Sequence, residues 1–311
     1  MAERLVIAAL TYRRPEGLAD LLAALARLSL GDIDASAVIV DNSPEAGARA
    51  QVGAAADTSP YPLAYLHQPQ RGISFARNMA LETALAADAH LMAFIDDDEI
   101  PPPDWILKMR AAMRTTGAEA VLGAVIPRFE APPPGWIERS DMLAFRGCEP
   151  HGEMPYGTTS NVLFSLGPVR QAGLRFHPDF AFTGGEDVIF FDGFRRQGAR
   201  IIYAPEGQVE ETISPARARL GWLWARWRRT GNTDARVSML RRRGLGTRGL
   251  IFAGGLARMV GGSVLAIAAL PAWALYGFEH VARRLYTLAR GIGYVEAAFG
   301  RSVEEYRVLS K

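Results

Sequence analysis

The sequence predicts an α/β fold: a mostly parallel, twisted sheet flanked by helices, followed by a helical appendage at the C-terminal end. Three observations predict it. Short continuous apolar runs recur without polar alternation, as strands buried on both faces require. Segments of helical period separate them, and strand–helix–strand spacing argues parallel crossovers. Beyond residue 213 the runs stop, and an arginine- and tryptophan-rich segment leads into a long uncharged stretch. The expected division of the 311 residues is 1–213 for the α/β domain and 214–311 for the appendage.

Leu5-Val6-Ile7-Ala8-Ala9-Leu10 is the first buried strand. Thr11-Tyr12-Arg13-Arg14-Pro15 ends it, with Pro15 in the first turn of a helix that carries Leu18, Leu21, Leu22, Leu25 and Leu28 at helical spacing. Ala37-Val38-Ile39-Val40 is a second strand, closed by Asp41-Asn42-Ser43. Leu63-Ala64-Tyr65-Leu66 is a third; it leads to Arg71-Gly72-Ile73-Ser74-Phe75-Ala76-Arg77-Asn78 and a helix to Ala87. Leu91-Met92-Ala93-Phe94-Ile95 is the fourth and ends in Asp96-Asp97-Asp98-Glu99. Pro101-Pro102-Pro103-Asp104 opens the next helix with Asp104 as N-cap. Val121-Leu122-Gly123-Ala124-Val125-Ile126 is a strand, residues 132–157 an irregular excursion over the sheet, and residues 158–164 a returning strand. Gly184 and Gly185, read as following a strand, allow close backbone approach before Glu186 and Asp187 open a helix, where the dipole favours negative charge. Arg200-Ile201-Ile202-Tyr203-Ala204 is the last strand.

Composition excludes more than it assigns. Net charge is +2, and the single cysteine, Cys148, allows no internal disulfide, so secretion is not indicated. Met-Ala-Glu-Arg runs straight into a strand, so no signal peptide is expected. Only Lys108 and Lys311 are lysines, which a coding bias toward arginine accounts for. No G-x-G-x-x-G follows the first strand and no G-x-x-x-x-G-K-[ST] occurs, which disfavours a dinucleotide fold and a P-loop.

The acidic run carries the chemistry. Ligand sites in open α/β sheets lie outside the carboxyl ends of the strands. Three successive carboxylates there cannot all stay ionised without a positive neighbour. Their oxygens suit hard cations such as Mg²⁺ or Mn²⁺, which take one or two carboxylates and complete their shell with phosphate and water. Two readings stand: a metal–diphosphate site, or a solvated turn capping the next helix. Glu186 and Asp187 likewise read as a general base at the mouth of a site or as an ordinary acidic helix start.

Residues 214–248 hold ten arginines, one acid (Asp234), and Trp222, Trp224 and Trp227. Basic residues interleaved with aromatics suit nucleic acid. The uncharged run that follows, residues 259–278, with Trp273 and Tyr276 near one end, reads better as membrane docking, and no nucleic-acid partner is expected. A buried helix pair broken at Pro271 is the alternative. A re-entrant or interfacial hairpin turning near Pro271 keeps Arg248, Arg258, Arg283 and Arg284 on one side of the bilayer, as the positive-inside bias prefers. The expectation is a monotopic or peripheral protein whose residues 217–248 touch anionic headgroups.

Five stretches, in this order and at strand ends, carry a family resemblance: Thr11-Tyr12-Arg13-Arg14-Pro15, Val40-Asp41-Asn42-Ser43, Arg71 through Asn78, Asp96-Asp97-Asp98 and Gly185-Glu186-Asp187. Residues 4–230 resemble the family 2 glycosyltransferases of the GT-A fold. The stretch from Glu211 to Arg217, followed by Trp224-Ala225-Arg226-Trp227, looks like the bacterial exopolysaccharide enzymes of the succinoglycan type. The resemblance implies that Thr11, Tyr12, Arg13 and Asp41 hold the base of a nucleoside-diphosphate sugar, usually UDP, with Arg71 near the nucleotide. Asp96 and Asp97 would join them, Asp96 on the ribose, and Asp98, with Asp96, would hold the divalent cation. Asp187 would be the catalytic base, with Glu186 beside it. Asn161, Gly185, Glu211, Arg226 and Trp227 stand as further residues of the site or its acceptor side. Leu223 replaces the Gln of the processive Gln-x-x-Arg-Trp motif, so one sugar per binding event is expected. No His lies between His177 and His280 to supply a further metal ligand, and Glu211 is the substitute. The implied activity is inverting transfer to a lipid-linked oligosaccharide or glycan at the cytoplasmic face of a bacterial inner membrane. A sugar-1-phosphate nucleotidyltransferase and a non-catalytic membrane-bound sugar-nucleotide-binding protein are the competing classes. The glycine-poor Thr11–Pro15 turn counts against the nucleotidyltransferase.

Overall fold

The computed structural model describes residues 3–304 apart from 148, 243 and 245, so Cys148 and Arg243 lie outside the described residues. In chain order the elements are β1 (Arg4–Thr11), α1 (Pro15–Leu25), β2 (Asp34–Asp41), α2 (Arg49–Ala56), β3 (Leu63–His67), α3 (Ile73–Ala86), β4 (Leu91–Asp96), β5 (Glu99–Ile100), α4 (Trp105–Thr116), β6 (Ala120–Phe129), α5 (Gly135–Glu138), β7 (Val162–Ser165), α6 (Gly167–Ala172), α7 (Glu186–Arg196) and β8 (Ile201–Ile213). Four helices follow: α8 (Leu220–Arg241), α9 (Thr247–Ala268), α10 (Leu270–Tyr276) and α11 (Glu279–Ala298). The chain divides into two compact units: residues 1–128, 144–181 and 186–212 form the first, and residues 129–143, 182–185 and 213–311 the second.

The first unit holds an eight-stranded sheet in the order β3-β2-β1-β4-β7-β6-β8-β5. β3, β2, β1 and β4 run parallel, while β7 is antiparallel to both β4 and β6, and β5 to β8. The sheet is mixed because β7 is reached through the irregular excursion rather than a helical crossover, which frees its direction. β1 explains why the strands read as unbroken apolar runs. Leu5, Ile7 and Ala9 face a core with the α1 leucines, Trp105 and Met109. Val6 and Ala8 face the opposite core, with Ala76, Ala80, Phe176 and Phe190. Both faces are covered, so no position needs a polar residue.

Several local expectations are corrected. Asp104 occupies the N-cap of α4 without a side-chain capping bond; it pairs instead with Lys108 one turn on, at 2.8 Å. β7 begins at Val162, since Asn161 has φ 43°, outside the extended region. The Gly184-Gly185 pair follows turns and a 3₁₀ segment, Pro178–Phe180, rather than a strand. β8 runs on through Pro205 to Ile213, nine residues past Ala204.

In the second unit α11 packs between α8 and α9. Glycines permit the close approach: a Cβ at Gly231 of α8 would lie 2.2 Å from the Arg290 carbonyl, and one at Gly262 of α9 would lie 2.6 Å from the Leu288 nitrogen. Leu223, Trp227, Ala282 and Ala289 are buried in its core. Pro271 falls in the first turn of α10, where a missing N–H is harmless, so the turn between the long helices spans residues 269–278 rather than centring on the proline.

Candidate active site

Register brings the site together. Thr11 stands opposite Asp41 and Leu10 opposite Asp96, so β1, β2 and β4 end level along one edge of the sheet. Ligands in open α/β sheets sit beyond such an edge.

At the end of β2, Asp41 is buried. Its Oδ1 accepts the Ser43 N–H at 2.8 Å, and its Oδ2 accepts the Ala48 N–H at 2.9 Å and the Tyr65 hydroxyl at 3.1 Å. Burial opposes its charge, yet these hydrogen bonds outweigh it and hold the carboxyl below the usual range. Asp41 therefore shapes the loop after β2. Asn42 clamps the next loop: its amide donates to the carbonyls of Gln68 and Gln70 at 2.7 and 2.8 Å and accepts the Gly72 N–H at 2.9 Å. Gly72 has φ 128°, and a Cβ there would meet that of Ala181 at 2.7 Å. After β1, the Tyr12 ring is flanked by the guanidinium groups of Arg13 and Arg71, 5.4 and 5.5 Å from its centroid. Arg13 also pairs with Glu45.

The acidic turn between β4 and β5 is the electrostatic centre. The Thr11 hydroxyl donates to Asp97 at 2.9 Å, and the Arg14 guanidinium donates to Asp97 at 3.0 Å and to Asp98 at 2.8 Å. Buried Glu99 accepts the Asp96 N–H at 3.0 Å and stands opposite Glu211 in the β5–β8 register. Burial, together with Asp98, Asp97 and Glu211, pushes the Asp96 carboxyl up to about 7 against the pull of Arg77. Burial and Asp96 raise Glu99 well above its ordinary value, and burial raises Asp97 despite Arg14.

Hard oxygen donors with surplus negative charge fit a divalent cation, and Asp96 and Asp98 are the residues that would hold it. Among the described residues no three such side chains form a finished metal cage. Mg²⁺ and Mn²⁺ sites on nucleotides need none, since phosphate and water complete the shell.

Arg77 connects this turn to α7. It lies on the buried side of α3, its guanidinium 5.9 Å from the Phe176 ring, and forms an ion pair with Glu186. Both residues are buried. Glu186 is therefore a buried countercharge to Arg77. Pinning Glu186 inward sets Asp187 about 100° round the helix. Asp187 is half-buried, with Oδ1 accepting the Val188 N–H at 2.7 Å.

Asn161 is fully buried; its amide donates to the carbonyls of Ala124 and Gly207, both at 2.8 Å, and accepts the Trp105 indole N–H at 2.8 Å. With all three bonds made inside the core, it is a staple and not an acceptor contact. In the second unit Trp227 is buried edge-on to Tyr286, Arg226 lies over Trp222, and Gly185 has φ 97°. Arg14, Asn42, Arg77 and Glu99 were not singled out from sequence. Arg77 left a signal, as an arginine on the alanine-lined stripe of α3 that needs a buried acid.

Residues 7–172, more than half of the chain, match the model for glycosyl transferase family 2. The chain belongs to glycosyltransferase family 2. This family 2 chain is 36% identical over 236 residues to the succinoglycan biosynthesis protein ExoM of Rhizobium meliloti (strain 1021), covering 76% of its own length and 75% of that protein. Its fold is similar to the mannosyltransferase PcManGT from Pyrobaculum calidifontis, solved with GDP-Man and Mn²⁺, at a TM-score of 0.62 and 17% identity over 97% of this chain and 89% of that one. It is also similar to residues 1–349 of S. aureus TarS, solved with UDP-GlcNAc, at a TM-score of 0.51 and 14% identity over 96% of this chain and 92% of that one. Against the longer TarS structure it spans 54% of that chain.

Proposed function

We propose that this family 2 enzyme is inverting and metal-dependent, and moves a sugar from a nucleoside-diphosphate sugar, UDP-linked, to a lipid-linked saccharide in bacterial exopolysaccharide synthesis. The acidic turn carries the reading: Asp96, Asp97, Asp98 and Glu99 follow one another at the carboxyl edge of the sheet, Glu211 stands opposite Glu99 in the β5–β8 register, and burial with the neighbouring carboxylates raises the Asp96 carboxyl against the pull of Arg77. Such a site has an excess of negative charge that a divalent cation relieves, and the bound cation would in turn draw the diphosphate. The succinoglycan role in the name of ExoM supports the pathway class, and the nucleotide sugars bound in the PcManGT and TarS structures support the donor class.

The Tyr12 ring with Arg13 and Arg71 supplies aromatic and cationic groups suited to a nucleotide, and the Thr11–Asp97 hydrogen bond ties the end of β1 to the acidic turn. The acceptor hydroxyl loses its proton to the Asp187 carboxylate as its oxygen attacks the anomeric carbon, and the bond to the diphosphate oxygen breaks on the opposite side. An α-linked donor thus gives a β-glycoside, through an oxocarbenium-like transition state. Asp96 and Asp98 would hold a divalent cation, which would supply Lewis-acid stabilisation to the departing diphosphate. The enzyme would act at the cytoplasmic face of the inner membrane, where the apolar α9 helix attaches it.

The test is a panel of UDP- and GDP-sugars, with and without a lipid-linked saccharide extract, read as released nucleoside diphosphate. Acceptor-stimulated release from a UDP-sugar is the expected result. No acceptor-stimulated release from any donor would sink the reading.

A further inference from the structure

We infer that the outer face of α9 and α10 lies flat in the interface of an anionic lipid bilayer, rather than crossing it. The inference rests on the membrane half of the reading above and is independent of the transferase chemistry.

α9 is 22 residues long, and only 17% of its most apolar stretch is buried in the protein. Its two faces differ. Gly255, Gly262 and Ala266 are buried. Around the helix from them, at three- and four-residue spacing, Leu256, Val260, Val264 and Ile267 are 46, 58, 59 and 67% exposed. The exposed strip continues onto α10, where Trp273 is 52% and Leu275 76% exposed. A contiguous apolar strip of this extent marks an interaction surface.

Length alone would permit a span, at about 1.5 Å rise per residue. The neighbouring helices do not. α11 follows α9 back along its length: a Cβ at Gly262 would meet Leu288, and one at Gly255 would meet Tyr294 and the Gly291 carbonyl. Level with the middle of α9, α11 carries Arg290, which pairs with Asp234 of α8, and α9 itself carries Arg258, stacked 4.5 Å over Tyr294. A transmembrane α9 would draw α11 and these charges toward the hydrocarbon centre, which is expensive. Lying in the plane, α9 puts its apolar strip into the acyl boundary while α11 and α8 stay on the water side.

Charge complementarity selects a lipid surface over a second copy of the chain. No acidic residue occurs between Asp234 and Glu279. Exposed Arg242 and Arg248 precede the strip, and exposed Arg283 and Arg284 follow it. Two copies of this face would bring like charges together at both ends, whereas anionic headgroups attract each cluster by about 1 kcal/mol per arginine. Trp273 with Tyr276 supplies the aromatic anchor common at such interfaces.

The experiment floats full-length protein on phosphatidylcholine–phosphatidylglycerol vesicles without substrate. The protein should float with them, and Val264→Glu combined with Ile267→Glu should cut the bound fraction on the order of tenfold or more while leaving solution donor binding unchanged. Trp273→Phe, which introduces no charge, should remove most of the vesicle-induced blue shift in fluorescence. Tyr276→Cys, in a Cys148→Ala background, should react with impermeant maleimide only after spheroplasts are lysed. Labelling in intact spheroplasts would overturn the in-plane arrangement in favour of a span. A dimer in solution that does not float would overturn the lipid occupant in favour of a second copy. Because nucleotide release is assayed without vesicles, loss of either property is separable from loss of the other.

Discussion

Arg77→Met strands the Glu186 carboxylate in the core of the first unit. The two residues are 6% and 1% exposed, so water cannot replace the lost guanidinium. Removing one partner of a buried ion pair costs about 3–5 kcal/mol, because the charge left behind is uncompensated, whereas replacing both by apolar groups is often near neutral. Arg77→Met and Glu186→Leu should therefore each destabilise the protein by about 3–5 kcal/mol. At a urea m-value of about 2–3 kcal/mol per molar, that lowers the midpoint by roughly 1–2 M. The double variant should recover most of the loss, since Met and Leu pack beside Phe176 and Phe190 with no charge to satisfy. Urea titration followed by far-UV circular dichroism measures all three. Single variants within about 0.5 kcal/mol of wild type, or a double variant whose loss equals the sum of the singles, would refute the buried-pair account.

Asp98→Ala should abolish the part of nucleoside-diphosphate affinity that depends on Mn²⁺, as chelation does in the wild type; titration calorimetry with equal affinities in all four combinations of protein and metal would return the acidic run to a solvated turn. The Arg139 hydrogen bond holds Glu279 at about 2, below the ordinary 4.5 of a glutamate. Its folded value is lowered, so its contribution to stability is full above 4.5 and fades as pH falls toward 2. Urea midpoints of wild type and Glu279→Gln should differ at neutral pH and converge over that acid window, and a gap that stays constant would remove this pair from the acid response.

The strands and their carboxyl ends were legible because burial on both faces leaves an unbroken apolar signature, and because polar residues then collect where each run stops. α2 was not legible: among its eight residues only Val52 is buried, so no periodic stripe exists to read. The far half of β8 was hidden by Pro205 and by alternating exposure after Gly207, which reads as a loop following a short strand. In the site, Asp96, Asp97 and Asp98 announced themselves as a local run. Arg14 and Arg77 did not, because their partners lie 83 and 109 residues away and only the fold pairs them. Asn161 misled for a related reason: a polar residue after a turn looks available to a ligand until three core partners claim it. The uncharged run of residues 259–278 was visible, and a hairpin turning near Pro271 was expected from it, but the partner on which α9 packs was not. The return helix, α11, is amphipathic and charged, and packing on glycines sets where the chain turns.

Asp187 as the catalytic base is the claim on which the proposed chemistry depends. The most direct measurement is kcat for Asp187→Asn in the acceptor-stimulated release assay, with donor affinity measured alongside. The account predicts a fall in kcat of about 10²–10⁴, the usual worth of a positioned general base, with donor affinity nearly unchanged. A variant that keeps kcat within a few-fold of wild type would contradict it.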